Sequence, residues 1–277
     1  MKLAVTSDLH VPHFTDPEVV IGQFIQSLLD HDALAIAGDF GRGWIDGALD
    51  IYDSILSMHP TTLFVLGNHD LWRKGFERLP PPEAFEDAMR LFRSGTPLEK
   101  SWGDPKTIAR IGDTVFVGSI GFPDFKMPTL MLPQEYYNKR ENCPTKDVKF
   151  MDMSLGWLVY TEPLVRGFGA RLKLAFKSAA KNVIVVTHYS IFESQRQIKT
   201  IRDVEFNAYF GNHGMGQMVL KQAKAHPDKK VWCVCGHSHA YCSGRFVKEA
   251  ENVVSYGIQN DYTFLRHVSI DTNDFPQ

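Results

Sequence analysis

The sequence has few cysteines, no long apolar run and no marked excess of charge of either sign. Four cysteines in 277 residues are too few for a disulfide-stabilised secreted fold and predict reduced thiols, so the expected location is the cytoplasm. No apolar run approaches the roughly 18 to 20 residues that a membrane helix needs, so no membrane association is expected. The first apolar stretch, from Leu3, soon reaches polar Thr6, Ser7 and Asp8, and no signal peptide is expected.

Charge and composition narrow the choice further. The formal net charge is −2, so the chain lacks the basic excess that would draw it onto nucleic acid without sequence preference. Nucleic acid is therefore expected, if at all, only as a substrate bound locally at the site. Hydrophobic residues make up 44% of the chain and charged residues 22%, which is typical of a globular protein with a large core. No repeat or linker-like stretch divides the chain, and we predict one domain over residues 1–277.

Short apolar runs alternate with amphipathic stretches, which predicts a layered α/β fold. Helices are expected to begin at Asp16 and to cover residues 46–58, 83–92, 162–180 and 215–225. Two antiparallel pairs are predicted, 107–110 with 114–120 and 252–258 with 262–270, so the sheets should be mixed rather than purely parallel. Periodicity is lost over residues 122–160, a segment too long for a plain connection. We predict that it is an insertion, with a cap over the site and a packing or partner surface as alternatives.

Metal-binding residue types follow five apolar runs, each within a few positions of the end of the run. In chain order they are Asp8 and His10 after 3–5, Asp39 after 33–37, Asn68 and His69 after 63–66, His188 after 183–186, and His237 and His239 after 231–234. Ligands bind outside the carboxyl ends of strands in open α/β sheets. The five loops should therefore converge on one site.

This set of ligands is larger than one four-coordinate zinc ion could use, and it predicts two divalent ions. Oxygen ligands mixed with imidazoles suit Mn, Fe, Zn, Co or Ni better than calcium. Two ions about 3.5 to 4 Å apart could clamp the attacking and leaving oxygens of a displacement and acidify a water, so that no side-chain nucleophile is required. Asp8 and Asp39 against two divalent ions leave a formal charge of about +2, which favours hydroxide and an anionic phosphate together.

Together the motifs resemble those of the calcineurin-like metallophosphoesterases. The resemblance is carried by Asp8-Leu9-His10, Gly38-Asp39, Gly67-Asn68-His69-Asp70, His188 and Gly236-His237-Ser238-His239. It implies a four-layer sandwich, in which two mixed β-sheets lie between helices. It also implies two metal sites: Asp8, His10 and His239 at the first, Asn68, His188 and His237 at the second, and Asp39 bridging them.

The resemblance assigns His69 as the catalytic histidine, which binds the substrate or protonates the leaving oxygen. Many relatives carry a carboxylate three residues after the aspartate of the Gly-Asp motif, and that carboxylate orients this histidine. Here the position is Arg42, so His69 needs another partner. Asp70 is not assigned that role because neighbouring side chains on a turn diverge. Arg42 and Arg73 are candidate substrate-binding residues, since an arginine fork suits phosphate; a solvated position is the alternative for each.

The activity implied is hydrolysis of a phosphate ester by attack of a metal-bound hydroxide, and we favour phosphodiesters of small molecules or nucleotides. Phosphomonoesterase and nuclease activities are alternatives at the same site, although a nuclease would need a basic groove and the basic candidates are scattered. A non-catalytic scaffold is the alternative of another class. A structural zinc bound by Cys233 and Cys235 is disfavoured because their one-residue spacing is short for a zinc knuckle. Oligomeric state, native metal and physiological substrate are not predicted.

Overall fold

The computed structural model describes residues 1–10, 16–41, 56–57, 59–72, 78–92, 94–128, 132–197, 207–260 and 265–276. Its strands are β1 (Lys2–Thr6), β2 (Ala33–Ala37), β3 (Thr62–Val65), β4 (Thr96–Pro97), β5 (Ala109–Ile111), β6 (Thr114–Ser119), β7 (Asn182–Thr187), β8 (Lys230–Cys235), β9 (Phe246–Ala250), β10 (Val253–Gly257) and β11 (Val268–Asp271). Its helices are α1 (Pro17–Gln26), α2 (Asn68–Leu71), α3 (Pro81–Leu91), α4 (Gln134–Asn138), α5 (Asp147–Phe150), α6 (Trp157–Lys177) and α7 (His213–Ala225). Short 3-10 turns cover Arg140–Asn142, Glu193–Gln195 and His239–Tyr241.

The strands form two mixed sheets, which confirms the predicted fold class. The first sheet has the order β11-β1-β2-β3-β4 and the second has the order β5-β6-β7-β8-β10-β9. The interior strands of each sheet run parallel, while β11, β5 and β9 pair antiparallel at the edges. Because the parallel strands end on one side of each sheet, the loops that follow them are brought together.

Apolar side chains alternate along the central strands between two cores. In β1, Leu3 and Val5 belong to the core between the sheets, whereas Ala4 packs with α1 on the outer face. In β7, Ile184 and Val186 belong to the core between the sheets, whereas Val183 and Val185 belong to the outer core, which also contains residues of α6. A strand buried on both faces is apolar throughout, which is why these runs show no polar alternation in the sequence. The result is an α/β sandwich with helices outside both sheets.

The long helix α6 lies against the second sheet and contains two glycines that the sequence alone marks as weak points. At Gly167 a Cβ atom would overlap the carbonyl oxygen of Gly103, so glycine permits close approach of the helix to that loop. Arg171 of the same helix is buried and donates to Glu99 at 2.9 Å and to the carbonyl oxygen of Gly118 at 2.7 Å. This buried pair joins α6 to β6 and to the loop after β4.

Several predicted boundaries differ from the structure. The pair 107–110 with 114–120 is confirmed as β5 and β6, but the pair 252–258 with 262–270 is wrong. Strand β10 pairs with β9 instead, and β11 crosses to the other sheet and pairs with β1. Helix α6 begins at Trp157, inside the segment predicted to be irregular, and most of the predicted helix over 46–58 lies outside the described residues.

The segment 122–160 contains α4 and α5 and carries a buried aromatic cluster. Phe125 stacks on Tyr137 with ring centroids 6.0 Å apart, and Tyr209 packs edge-on against Phe125 at 5.3 Å. The segment is thus packed into the body of the protein. Within the described part of the chain, no helix is both long enough and apolar enough to cross a membrane.

Candidate metal centre

The loops after β1, β2, β3, β7 and β8 meet at one place, as predicted. The backbone N–H of Asp8 donates to the carbonyl oxygen of Gly38 at 2.9 Å, and that of Gly236 donates to the carbonyl oxygen of His188 at 3.1 Å. A Cβ atom on Gly38 would lie only 2.7 Å from the backbone nitrogen of Gly67. Glycine therefore lets the loops touch, so that side chains from both sheets reach a common centre.

Strained backbone positions coincide with the candidate ligands. Among the described residues other than glycine, positive φ values occur at the candidate ligands Asp8 (53°), His10 (40°), Asp39 (56°), His237 (68°) and His239 (46°), and otherwise at Phe125 (55°). Such conformations are uncommon for residues with a side chain, and each costs about 1–3 kcal/mol. They persist where the surrounding structure enforces them, which is typical of functional sites.

The first group of potential ligands consists of Asp8, His10 and His239. Their ligand atoms lie within 4.8 Å of one another. The Nε2 atom of His10 is 3.9 Å from Oδ1 of Asp8, and Nε2 of His239 is 3.7 Å from the same oxygen. Both oxygens of Asp8 also accept the backbone N–H of His237, at 3.1 and 3.0 Å, which fixes the carboxylate.

The second group consists of Asp39, His188 and His237, with the amide of Asn68 between them. The Oδ1 atom of Asn68 lies 2.9 Å from Nε2 of His188 and 3.0 Å from Nδ1 of His237. The two imidazole nitrogens are 3.1 Å apart. All of these side chains are buried.

Asp39 joins the two groups through one oxygen. Its Oδ2 atom is 3.3 Å from Nε2 of His188, in the second group, and 3.8 Å from Nε2 of His10, in the first. Its other oxygen accepts the backbone N–H of His69 at 2.9 Å, which orients the carboxylate. This is the arrangement expected of a carboxylate that bridges two cations.

The chemistry of the second group fits a cation. The Nδ1 atom of His188 lies 2.8 Å from the carbonyl oxygen of Ala37, so it carries a proton and Nε2 is the ring nitrogen that faces inward. The side-chain N–H of Asn68 donates outward at 2.8 Å, so its oxygen also faces inward. Without a metal ion, a proton on Nε2 of His188 supplies the positive charge between these nitrogen and oxygen atoms, and a divalent ion would take the place of that proton. The residues present thus fit a divalent ion.

Ionisation of the same side chains shows how strongly the centre attracts positive charge. Burial opposes the charged form of His188, but the Asp39 carboxylate prevails and raises the pKa of His188 to about 9. Burial likewise opposes the charged form of Asp39, yet His188 and His69 lower the pKa of Asp39 well below its ordinary value. For His237 and His10, burial lowers the pKa of each imidazole, which keeps these ligands neutral.

His69 lies at the rim of the centre with its side chain 18% exposed, so it is accessible to a bound molecule. Its Nε2 atom is 4.0 Å from Oδ2 of Asp39, whereas its buried Nδ1 atom has no hydrogen-bond partner among the described residues. Burial lowers the pKa of His69 to about 4 despite the Asp39 carboxylate. Its imidazole is therefore neutral at physiological pH.

Asp70 binds the backbone rather than His69. Its carboxylate accepts the N–H groups of Gly67 at 2.8 Å, Asp39 at 3.0 Å and Phe40 at 3.0 Å. Burial, with Asp39 nearby, raises the pKa of Asp70 to about 7. Asp70 thus ties the loop after β2 to the loop after β3 and leaves the orientation of His69 to other groups.

Asp147, which lies near the centre, was missed as a site residue by sequence reasoning. Asp147, from the segment 122–160, accepts hydrogen bonds from Asn68 at 2.8 Å and from the Trp72 indole at 2.7 Å. Trp72 stacks on His69 with ring centroids 3.7 Å apart. Asp147 is an isolated aspartate in a segment without periodicity, so no sequence pattern marks it as a site residue. Trp72 lies only three residues after His69, and this closeness in sequence is a signal that it belongs to the site.

The remaining predicted site residues are placed as follows. The candidate phosphate-binding residues Arg42 and Arg73 lie outside the described residues. Cys233 and Cys235 are buried in β8 and belong to none of the clusters of potential ligands that the described residues form, which disfavours a structural zinc there.

The comparisons with known proteins agree with this geometry. The sequence model of a family described as calcineurin-like phosphoesterase matches residues 1–241, which include every candidate metal ligand. No curated protein matches the chain.

Proposed function

We propose that this chain, which belongs to the calcineurin-like phosphoesterase family, hydrolyses phosphate esters with the help of two divalent metal ions. Members of the family are in general metal-dependent phosphoester hydrolases. The observation that carries the proposal is the position of Asp39, whose Oδ2 atom is shared by two groups of inward-facing ligand atoms. One carboxylate between two ligand groups suits two ions better than one.

Each ion would have its own ligands in this proposal. Asp8, His10 and His239 would bind the first ion, and Asn68, His188 and His237 the second, with Asp39 shared. When bound, the two ions supply an acidified water as nucleophile and neutralise charge on the phosphoryl oxygens. Manganese is the ion that we propose to test first, among Mn, Fe, Zn, Co and Ni.

His69 would act on the bound ester from the rim of the centre. Its imidazole is neutral, and its Nε2 atom is the ring nitrogen that lies toward Asp39. With the proton on Nε2, it would donate a hydrogen bond to a phosphoryl oxygen or pass that proton to the leaving oxygen. The buried stack on Trp72 keeps the ring in one plane for either role.

Phosphodiesters of small molecules or nucleotides are the preferred substrates in this proposal, and the cytoplasm is the proposed location. The location is supported by the four cysteines, none of which forms a disulfide. The diester preference is supported by departures from the protein phosphatase branch, at Arg42 and at Asp70, which ends the third motif.

Hydrolysis of bis-p-nitrophenyl phosphate and of p-nitrophenyl phosphate, each with added manganese, tests the proposal. We expect cleavage of the diester by the native chain and its loss in Asp39→Asn and His69→Ala. His226→Ala is the matched control, since His226 ends α7 and hydrogen-bonds to Gln222 of the same helix. Cleavage of the monoester alone would favour a phosphomonoesterase, and failure on both esters with every divalent metal would favour a scaffold.

A further inference from the structure

A buried carboxylate from the segment 122–160 reaches the candidate metal centre. Asp147 begins helix α5 and is 1% exposed, so its hydrogen bonds are shielded from water. Its Oδ1 atom accepts the side-chain N–H of Asn68 at 2.8 Å and the indole N–H of Trp72 at 2.7 Å. Its Oδ2 atom accepts the hydroxyl of Thr145 at 2.9 Å. The carboxylate therefore joins Asn68, which begins the short helix α2, to Trp72, which follows the last residue of that helix. His69 lies between these two residues in the sequence.

The bond to Asn68 determines which end of that amide faces the ligand group. An amide has one oxygen and one nitrogen of similar size, and rotation by half a turn exchanges them. With its nitrogen donating to Asp147, Asn68 places Oδ1 within 3.0 Å of the ligand nitrogens of His188 and His237. The reversed amide would turn its N–H groups toward the ligand group, and N–H groups cannot coordinate a cation.

The bond to Trp72 holds the ring on which His69 lies. The His69 and Trp72 rings are nearly parallel, with an interplanar angle of 24° and centroids 3.7 Å apart. Phe150, also on α5, stacks on Trp72 at 4.7 Å and with the same angle. Trp72 is thus fixed by an apolar ring from the same helix that carries its carboxylate partner.

The stack on Trp72 provides a contact for His69 in place of the hydrogen bond to a carboxylate that many relatives have. The chain has Arg42 where many relatives have the carboxylate that orients this histidine, and Asp70 binds backbone N–H groups instead. Among the described residues no group hydrogen-bonds to the buried Nδ1 atom of His69. Packing against Trp72, together with an edge-on contact of the His10 ring at 4.8 Å, then restrains rotation of the ring.

We propose that Asp147 is a positioning residue, which directs the amide oxygen of Asn68 toward the second ion and fixes Trp72 beneath His69. This inference rests on the proposed function. It gives the segment 122–160 a role inside the centre, where its helix α5 orients one metal ligand and one catalytic side chain. Partners of metal ligands typically change metal affinity by about 10- to 100-fold when they are removed.

Calorimetric titration of the metal-free full chain with manganese tests the role toward Asn68. In Asp147→Ala we expect the affinity for one of the two ions to fall about 10- to 100-fold, while the other ion binds as in the native chain. Asp147→Asn should restore binding to within about threefold, because its carbonyl oxygen can still accept from both Asn68 and Trp72 while its amide nitrogen faces Thr145.

Asp124→Ala is the matched control. Asp124 is a second buried aspartate of the same segment, and it accepts the backbone N–H groups of Lys126, His213 and Gly214 at the start of α7. Its removal should lower the unfolding temperature and leave both manganese affinities unchanged. Unfolding of every variant is followed by circular dichroism, so that lost structure is distinguished from lost affinity.

Two Trp72 variants test the role toward His69 without altering Asp147. Trp72→Phe removes the indole N–H and keeps an aromatic ring, whereas Trp72→Leu removes the stack. We expect Trp72→Leu to lower kcat for bis-p-nitrophenyl phosphate by about 10- to 100-fold with little change in KM, because misplacement of a group that acts in the transition state affects kcat. Trp72→Phe keeps a stacking ring but loses the bond to Asp147, so it should also lower kcat, by a smaller factor than Trp72→Leu.

The two roles fail in recognisable ways. If folded Asp147→Ala binds both ions with native affinity, or if Asp147→Asn binds manganese as poorly as Asp147→Ala, the positioning of Asn68 is refuted. Native kcat in Trp72→Leu would refute the positioning of His69 by Trp72, and native kcat in Trp72→Phe would refute the contribution of Asp147 to it. Failure of the proposed function is distinct: a native chain that binds two manganese ions but cleaves no ester overturns the hydrolase, and loss of one ion in Asp147→Ala would still support the role toward Asn68.

Discussion

Replacing Asp39 by asparagine should strongly weaken binding of both ions while the fold is retained. In the native chain, Oδ1 of Asp39 accepts the backbone N–H of His69 at 2.9 Å and Oδ2 faces both ligand groups. An asparagine that keeps the bond to His69 must turn its amide N–H toward Nε2 of His188, 3.3 Å from the present oxygen. The neutral amide brings neither a negative charge nor a lone pair to that side of the centre, so it stabilises a cation there less well. The variant therefore favours the metal-free state.

The expected magnitude follows from the number of interactions lost. Removal of a residue that only orients a ligand costs about 10- to 100-fold in metal affinity. Asp39 is itself a candidate ligand of both ions and supplies one of the two negative charges at the centre, so we expect a loss of at least about 100-fold for each ion. That loss corresponds to about 2.7 kcal/mol per ion.

Metal content after dialysis against manganese, together with calorimetric titration, measures this effect. Asp113→Asn is the control, because Asp113 is exposed and its carboxylate pairs only loosely with Lys181, at 3.7 Å. It should bind manganese as the native chain does. If folded Asp39→Asn retained both ions with less than a tenfold loss of affinity, the shared carboxylate would not be a bridge. Loss of only one ion would assign Asp39 to a single site.

Three further predictions concern packing and buried charge. Gly236→Ala should weaken binding of the first ion in the manganese titration, because the new Cβ atom would overlap the side chain of Ser7 and the carboxylate of Asp8 and would force the loop after β1 to shift. Arg171→Met should lower the free energy of unfolding by about 3–5 kcal/mol in urea, since it leaves buried Glu99 unpaired, and Glu99→Leu in the same chain should restore part of the loss. Burial, with a nearby histidine, lowers the pKa of His267 below 6.5, so its contribution to stability should be lost as pH falls below 6.5, and His267→Gln should flatten that dependence in thermal unfolding.

The position of the candidate centre could be predicted because strand ends follow a general rule. Each run of ligand types begins where a buried apolar run stops, and parallel strands place such ends on one edge of a sheet. That residues 8, 39, 188 and 237 lie near one another could be predicted without knowing how the two sheets pack. The rule can be applied to the sequence alone because β1 and β7 are buried on both faces and are therefore apolar up to the threonine that ends each strand.

Pairing of the C-terminal strands could not be predicted, because two apolar runs close in sequence suit a hairpin and a crossover equally well. Between β10 in the second sheet and β11 in the first, Asn260 contacts both the end of β1 and the chain just before β11. Its side chain donates to Thr6 at 3.3 Å and accepts the backbone N–H of Arg266 at 2.7 Å. Asn260 thus leads the chain to the end of β1, beside which β11 pairs. Asp147 escaped prediction for a related reason, since its partners Asn68 and Trp72 lie more than seventy residues away.

The backbone at the centre shows why local propensity is a poor guide there. Left-handed conformations are uncommon for every residue type except glycine, including the asparagine, aspartate and histidine that adopt them most often among the others. They occur here at Asp8, His10, Asp39, His237 and His239. Glycine at these positions would relieve the strain and remove the ligand, so the requirement for a side chain outweighs about 1–3 kcal/mol at each. The strain is sustained because the preceding strands are fixed in two apolar cores, and because the carboxylates of Asp8 and Asp70 accept N–H groups from neighbouring loops. A rigid pair of sheets thereby sets ligand positions that the loop sequences alone would not adopt.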